Sequence, residues 1–161
     1  MNKIIAGILA FLLWLFPWSN SLFGLHAQLS FDRDAVMDKI ATCITDRNVE
    51  TLESMMRPWF KANVSDLRDQ LTQFYDAIDG DIQSIIKGAE GSSNDGGIYS
   101  EEMRFSVATS KGISYHLVIM YDVSNTKNRT EVGISAIRLA TGQIGDPDRQ
   151  IHFILNTPEW R

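Results

Sequence analysis

The stretch from residue 113 to residue 124, ISYHLVIMYDVS, constrains the fold most. It combines β-branched and aromatic residues with a central apolar block, and it is bounded by Gly112 and Asn125. An apolar run of this kind, with turn residues at both ends, is typical of a strand that is covered on both faces. The sequence therefore predicts a central strand, around which the other elements must be arranged.

The N-terminus has the pattern of a secretory signal peptide. A short positive start that includes Lys3 precedes the apolar residues 4–16, and a cleavage site is predicted after Ala27. The apolar core is too short to span a bilayer, which needs about 20 helical residues. The alternative is an uncleaved anchor, because apolar residues continue past Pro17. A membrane is predicted as a partner only if this segment is retained. No cysteine follows the core directly, so a lipoprotein signal is not predicted.

Composition and charge fit one exported domain over residues 28–161. The chain is 44% hydrophobic and 22% charged, as is usual for globular domains. Without residues 1–27 it would carry 14 basic and 20 acidic side chains, a net charge of −6. The charges are interspersed without a basic stripe, so nucleic acid is not predicted as a partner. The single Cys43 precludes an internal disulfide, which favours a bacterial secreted or cell-envelope protein.

Three segments after the N-terminus show helical spacing of apolar residues. The first runs from Asp34 to about Arg47, and the second is short and ends before Pro58, because the residue preceding proline avoids helical angles. The third runs from Ser65 to Gly80 and has the widest apolar face. The apolar positions are Val36, Met37, Ile40, Cys43 and Ile44 in the first helix, Val49, Leu52, Met55 and Met56 in the second, and Leu67, Leu71, Phe74, Tyr75 and Ile78 in the third. Cys43 is therefore interpreted as a small core residue rather than as a reactive or dimer-forming thiol.

After residue 80 the apolar spacing changes to the period of strands. Residues 81–87 predict an edge strand, and the glycine- and serine-rich residues 88–97 predict an exposed loop. Residues 99–107 predict a strand with one buried face, and residues 131–140 predict the last clear strand. From about residue 143 the sequence predicts a loose tail, in which a further short strand over Ile151 to Leu155 is left open. The buried face of the second strand comprises Tyr99, Met103, Phe105 and Val107, with Glu101 on the same face by parity.

The order of elements predicts an α+β domain, with three N-terminal helices packed on a curved antiparallel sheet of about four strands. The helical segment DAVMDKI from Asp34, the pattern NVETL from Asn48, the helix end at Asp79-Gly80 and the strand EVGISAI from Glu131 resemble domain of unknown function family 5104 of bacterial secreted proteins and lipoproteins. That family is similar to the nuclear transport factor 2-like, or cystatin-like, cone, in which a bent sheet wraps a long helix. The resemblance covers about residues 30–140. It implies no catalytic residues, and the chain lacks the anchoring cysteine of the lipoprotein members.

The inner side of such a cone offers five candidate ligand-pocket residues. They are Tyr75, Tyr99, Glu101, Tyr115 and Tyr121. A buried carboxylate with a polar donor is the arrangement that isomerase chemistry uses, and a pairing of Glu101 with Tyr115 is one hypothesis. The simpler interpretation is that the tyrosines line the cone. His116 and Asp122 lie on the opposite face of the central strand, so Tyr121 and Asp122 cannot form one dyad.

No other motif in the sequence indicates a particular chemistry. Metal ligands are not clustered, no phosphate-binding loop or nucleophile elbow is present, and no cofactor is predicted. The preferred function is a non-catalytic binding module for a small apolar ligand or a protein partner, acting through the cone mouth or the outer sheet face. Val118 and Met120 on the outer face predict a homodimer through the sheet. The alternatives are a small isomerase or hydrolase, and an envelope immunity or inhibitor protein.

Overall fold

The computed structural model describes residues 31–142 and 148–157. The predicted signal peptide over residues 1–27, the segment 143–147 and the last four residues lie outside these ranges. Within the described ranges, no helix combines the length and the hydropathy needed to cross a membrane.

The described chain begins with four helices, where three were predicted. Asp32 caps the first helix by accepting from the backbone N of Ala35 at 3.0 Å, and Asn48 caps the second by accepting from the N of Thr51 at 2.9 Å. The additional helix begins at Pro58, which ends one helix and also suits the first position of the next. The helices are α1 (Arg33–Thr45), α2 (Val49–Met55), α3 (Pro58–Asn63) and α4 (Leu67–Asp76).

Five antiparallel strands follow the helices and pair in chain order, without closing into a barrel. The prediction of about four strands omitted the last one, which pairs with its predecessor over the segment that the sequence left open. The predicted loop over residues 88–97 was wrong, because the first strand continues to Asp95 and turns at Gly96 and Gly97. The strands are β1 (Ile82–Asp95), β2 (Ile98–Thr109), β3 (Ser114–Asn125), β4 (Gly133–Thr141) and β5 (Gln150–Asn156).

The core lies between the helices and one face of the sheet, which we call the inner face. The predicted central strand is confirmed, since β3 is the third of five strands. Its residues Tyr115, Leu117 and Ile119 are buried on the inner face, whereas Val118 and Met120 are half-buried on the opposite, outer face. Helix α4 contributes Leu67, Leu71, Phe74 and Tyr75 to the same core, in agreement with its predicted stripe.

Candidate functional site

Two of the five predicted pocket residues meet at one end of the inner face. The hydroxyl of Tyr99 donates to Oε1 of Glu101, while the guanidinium of Arg33 donates to Oε2 of Glu101 and to Glu90. Glu101 is only 2% exposed. Tyr121 lies directly across from Glu101 on β3. Because both oxygens of Glu101 already accept hydrogen bonds, this carboxylate is held in a salt bridge between α1 and the sheet.

The other two tyrosines lie away from Glu101. The hydroxyl of Tyr115 accepts a hydrogen bond from the backbone N of Asp79 at 3.0 Å, so the hypothetical pairing of Tyr115 with Glu101 does not form. The hydroxyl of Tyr75 donates to the carbonyl of Cys43 at 3.2 Å. Both side chains are nearly fully buried. Their hydroxyl groups thus tie helix ends to the core.

Cys43 is a buried core residue, as its position on the helical stripe predicted. Its thiol donates to the carbonyl of Asn48 at 3.0 Å and lies 3.4 Å from the hydroxyl of Tyr75. Burial raises the pKa of the Cys43 thiol, which disfavours the reactive thiolate.

A buried ionic cluster lies near the end of β3 and was not predicted. The guanidinium of Arg57 donates to Oδ2 of Asp122 at 2.8 Å, and these residues are 3% and 0% exposed. Oδ1 of Asp122 accepts from the hydroxyls of Ser100 at 2.7 Å and Ser135 at 2.9 Å. Arg57 also contacts Glu131 at 3.3 Å. We call these five residues the Asp122 cluster. Strand parity could have indicated that Ser100 and Asp122 share a face, but no sequence signal brings Arg57 to them.

The outer face of the sheet carries two neighbouring depressions. The larger has a volume of about 370 Å³ and lies around Arg104, His116 and Arg149, beside the β-bulge of β1. The smaller has a volume of about 180 Å³ and is lined by residues that include Met120, Arg138 and Ile154. Val118 on the central strand lines both depressions.

Apolar side chains of the outer face are exposed around these depressions. The pairing of the five strands places Ile86, Ser106, His116, Ala140 and Ile151 in one row across the sheet. Ile86 is 64% exposed, Ile151 is 52% exposed and Ile154, in the next row, is 48% exposed. Large apolar side chains exposed on one face often mark an interaction surface.

Three tyrosines are expected to ionise late in an alkaline titration. Burial raises the pKa of Tyr75 and Tyr121, and the hydrogen bond to Glu101 raises the pKa of Tyr99. A raised pKa in the folded state means that their contribution to stability is complete below the unfolded value of about 10 and is lost as the pH rises through the folded value. We therefore expect the free energy of unfolding to fall above about pH 10.

Near-ultraviolet absorbance of tyrosinate against pH measures the ionisation of these tyrosines in the folded protein. Tyr121→Phe and Tyr99→Phe should each remove part of the late absorbance change. An absorbance change that is complete near pH 10 in the folded protein would contradict the expectation.

Four helices on the inner face of an open five-strand antiparallel sheet define the protein as an α+β domain. The chain belongs to the family described as Domain of unknown function (DUF5104), whose model matches residues 39–142. The resemblance seen in the sequence to this family is thereby confirmed. Comparison with curated proteins gives no match.

Proposed function

We propose that this protein is a non-catalytic binding module, exported from a bacterial cell, that binds a small ligand in the larger depression on the outer face of its sheet. The observation that carries the proposal is that depression, a concave site of about 370 Å³ beside exposed isoleucines. Ligand sites in proteins are concave, mostly apolar and commonly 300–1,000 Å³ in volume. The apolar start of the chain supports export.

The inner face is a weaker choice for the ligand site. Tyr75, Glu101 and Tyr115 are at most 3% exposed, and each has a hydrogen-bond partner within the protein. A general base must be able to accept a proton from its substrate. The salt bridge from Arg33 to Glu101 therefore speaks against the alternative of an isomerase or hydrolase that uses Glu101.

The chain also belongs, we propose, to the nuclear transport factor 2-like superfamily. In support, helices cover one face of the sheet, and all four strand pairings contain a register shift, as in a bent sheet. In this arrangement the outer face is left for a ligand or a partner.

Binding at the outer face is tested with N-phenyl-1-naphthylamine, a neutral apolar dye whose fluorescence rises on leaving water. We expect saturable binding that Val118→Glu weakens by about tenfold or more, because a hydrated carboxylate, even opposite Arg104 and Arg138, replaces the apolar wall that both depressions share. Ala62→Glu, at an exposed position of α3, should leave binding unchanged. Absence of saturable binding, or equal binding by the Val118→Glu variant, would overturn the proposal.

A homodimer through the outer face is the second candidate, favoured by exposed Ile86, Ile151 and Ile154. Native mass spectrometry of the exported protein measures subunit number and any retained small molecule together. A dimer that Ile154→Glu converts into a monomer would support this candidate. A monomer that retains a reproducible small mass would instead favour the ligand site.

A further inference from the structure

The larger outer-face depression is positively charged in a protein whose net charge is −5. Arg104, His116 and Arg149 line it, and none of its described lining residues is acidic. Apart from Ser106, its remaining wall is apolar or backbone, with Gly88 and Ala89 at the bulge of β1 and Val118 on β3. Charged side chains of one sign around a concave apolar wall attract a ligand of the opposite charge.

The two arginines differ in what already pairs with them. Arg104 donates from Nε to Oε1 of Glu102 at 2.5 Å, and Glu102 lies at the smaller depression. The Nε of Arg149 is buried and has no hydrogen-bond partner among the described residues. A buried donor without a partner is destabilising, so the guanidinium of Arg149 is not fully compensated by acceptors among the described residues. Arg149 is therefore the side chain best suited to receive an acceptor from a ligand.

We infer that the larger depression binds a small amphipathic molecule with an oxyanion head, either a carboxylate or a phosphate, and a short apolar body. The guanidinium of Arg149 binds the head, because its planar set of donors matches two oxygens of either group. Arg104 and His116 line the same depression, and the wall formed by Ala89 and Val118 contacts the apolar body. This inference rests on the proposed function and specifies the ligand for the same site.

Displacement of the bound dye by three probes that share one apolar chain tests the inference. Octanoate, octyl phosphate and 1-octanol have the same chain length and differ in the head group. We expect the two anions to displace the dye at concentrations at least about tenfold lower than 1-octanol, since a charge-assisted hydrogen bond is stronger than one to a neutral hydroxyl. The order of octanoate and octyl phosphate identifies which oxyanion the site prefers.

The variant Arg149→Gln assigns the preference to one side chain. It should abolish the advantage of the anions while leaving the affinities for the dye and for 1-octanol unchanged. Lys39→Gln removes the same charge at an exposed position of α1, and we expect it to change none of the affinities. Thermal unfolding of each variant checks that the fold is retained.

The outcomes separate the two proposals. If the dye binds at the outer face but 1-octanol competes as well as octanoate and octyl phosphate, the oxyanion inference fails and the proposed ligand site stands. If the anions retain their advantage in Arg149→Gln, the assignment to Arg149 is overturned. If the dye does not bind in a saturable way, the proposed site itself fails, and the inference fails with it.

Discussion

Replacing Asp122 by alanine is expected to lower the free energy of unfolding by about 3–5 kcal/mol, because it removes the closer of the two carboxylates that pair with the buried guanidinium of Arg57. The substitution also removes the acceptor of the hydroxyls of Ser100 and Ser135. Urea denaturation followed by circular dichroism measures the change as a lower midpoint. This is the largest effect that we expect from any single charged residue in the described chain.

An exposed ion pair and a double variant serve as controls for Asp122→Ala. Arg68→Ala breaks the exposed pair with Glu53, which should lower the free energy of unfolding far less than Asp122→Ala does. The double variant Arg57→Met with Asp122→Leu should recover part of the loss, since an apolar pair in place of a buried ion pair is often neutral, while Ser100 and Ser135 still lose their acceptor. If Asp122→Ala does not fold, Asp122→Asn keeps the shape of the side chain and should give an intermediate loss. A loss below 1 kcal/mol in Asp122→Ala would contradict this account of the cluster.

Gly133→Ala is expected to destabilise the protein by about 3 kcal/mol or more, from backbone strain of about 1–3 kcal/mol together with a steric clash. Gly133 has φ of +129°, a conformation that residues with a Cβ rarely adopt. An added Cβ would lie 2.6 Å from the carbonyl oxygen of Met55 and 3.1 Å from the backbone N of Arg57. Both neighbours are backbone atoms, so neither can move away as a flexible side chain would.

Gly112→Ala separates strain from clash. Gly112 also has a positive φ, of +74°, but no atom lies within 4 Å of the position where its Cβ would be. Its replacement should therefore cost only the conformational penalty of about 1–2 kcal/mol. The comparison uses the denaturation midpoints of both variants. Equal losses of unfolding free energy in Gly112→Ala and Gly133→Ala would show that the close approach of the α2–α3 segment to β4 adds nothing to the destabilisation of Gly133→Ala.

The parts of the fold that could be predicted are those in which apolar spacing and burial agree. Residues 113–124 predicted β3, and the spacing of Leu67, Leu71 and Phe74 predicted α4. Strand parity correctly placed Tyr121 and Asp122 on opposite faces of β3. In each case the local pattern reports directly on which side chains the core covers.

The missed elements have local sequences that indicate something else. Residues 88–95 are rich in glycine and serine, yet they pair with β2. An edge strand with exposed side chains can be held by backbone hydrogen bonds alone. Pro58 was interpreted as a helix stop although it also begins α3. The helix caps also differ from the predicted ones. Asp32 rather than Asp34 caps α1, and Asp66 rather than Ser65 is at the N-cap position of α4. In these segments tertiary pairing overrode the local preference of glycine, serine and proline for turns, so the prediction from the sequence was wrong there.

The candidate site was harder to predict than the fold. The prediction grouped Glu101 with tyrosines on the inner face, and Tyr99 does donate to it, but its charged partner Arg33 comes from a helix distant in sequence. The contact of Arg57 with Asp122 spans 65 residues and leaves no periodic signal. The two arginines and the histidine of the outer depression come from β2, β3 and the residue before β5. Only the pairing of the strands brings these residues to one place.

The strict chain order of the strands has a consequence for how the protein folds. Each strand pairs with the next one along the chain, so the sheet can assemble one hairpin at a time with little loop-closure entropy. The parallel bridge between Met56 and Ile134 is different, because it joins the α2–α3 segment to β4 across most of the described chain. Docking of this segment therefore costs more loop-closure entropy than any hairpin of the sheet, and the meander is able to form before the helices are fixed upon it.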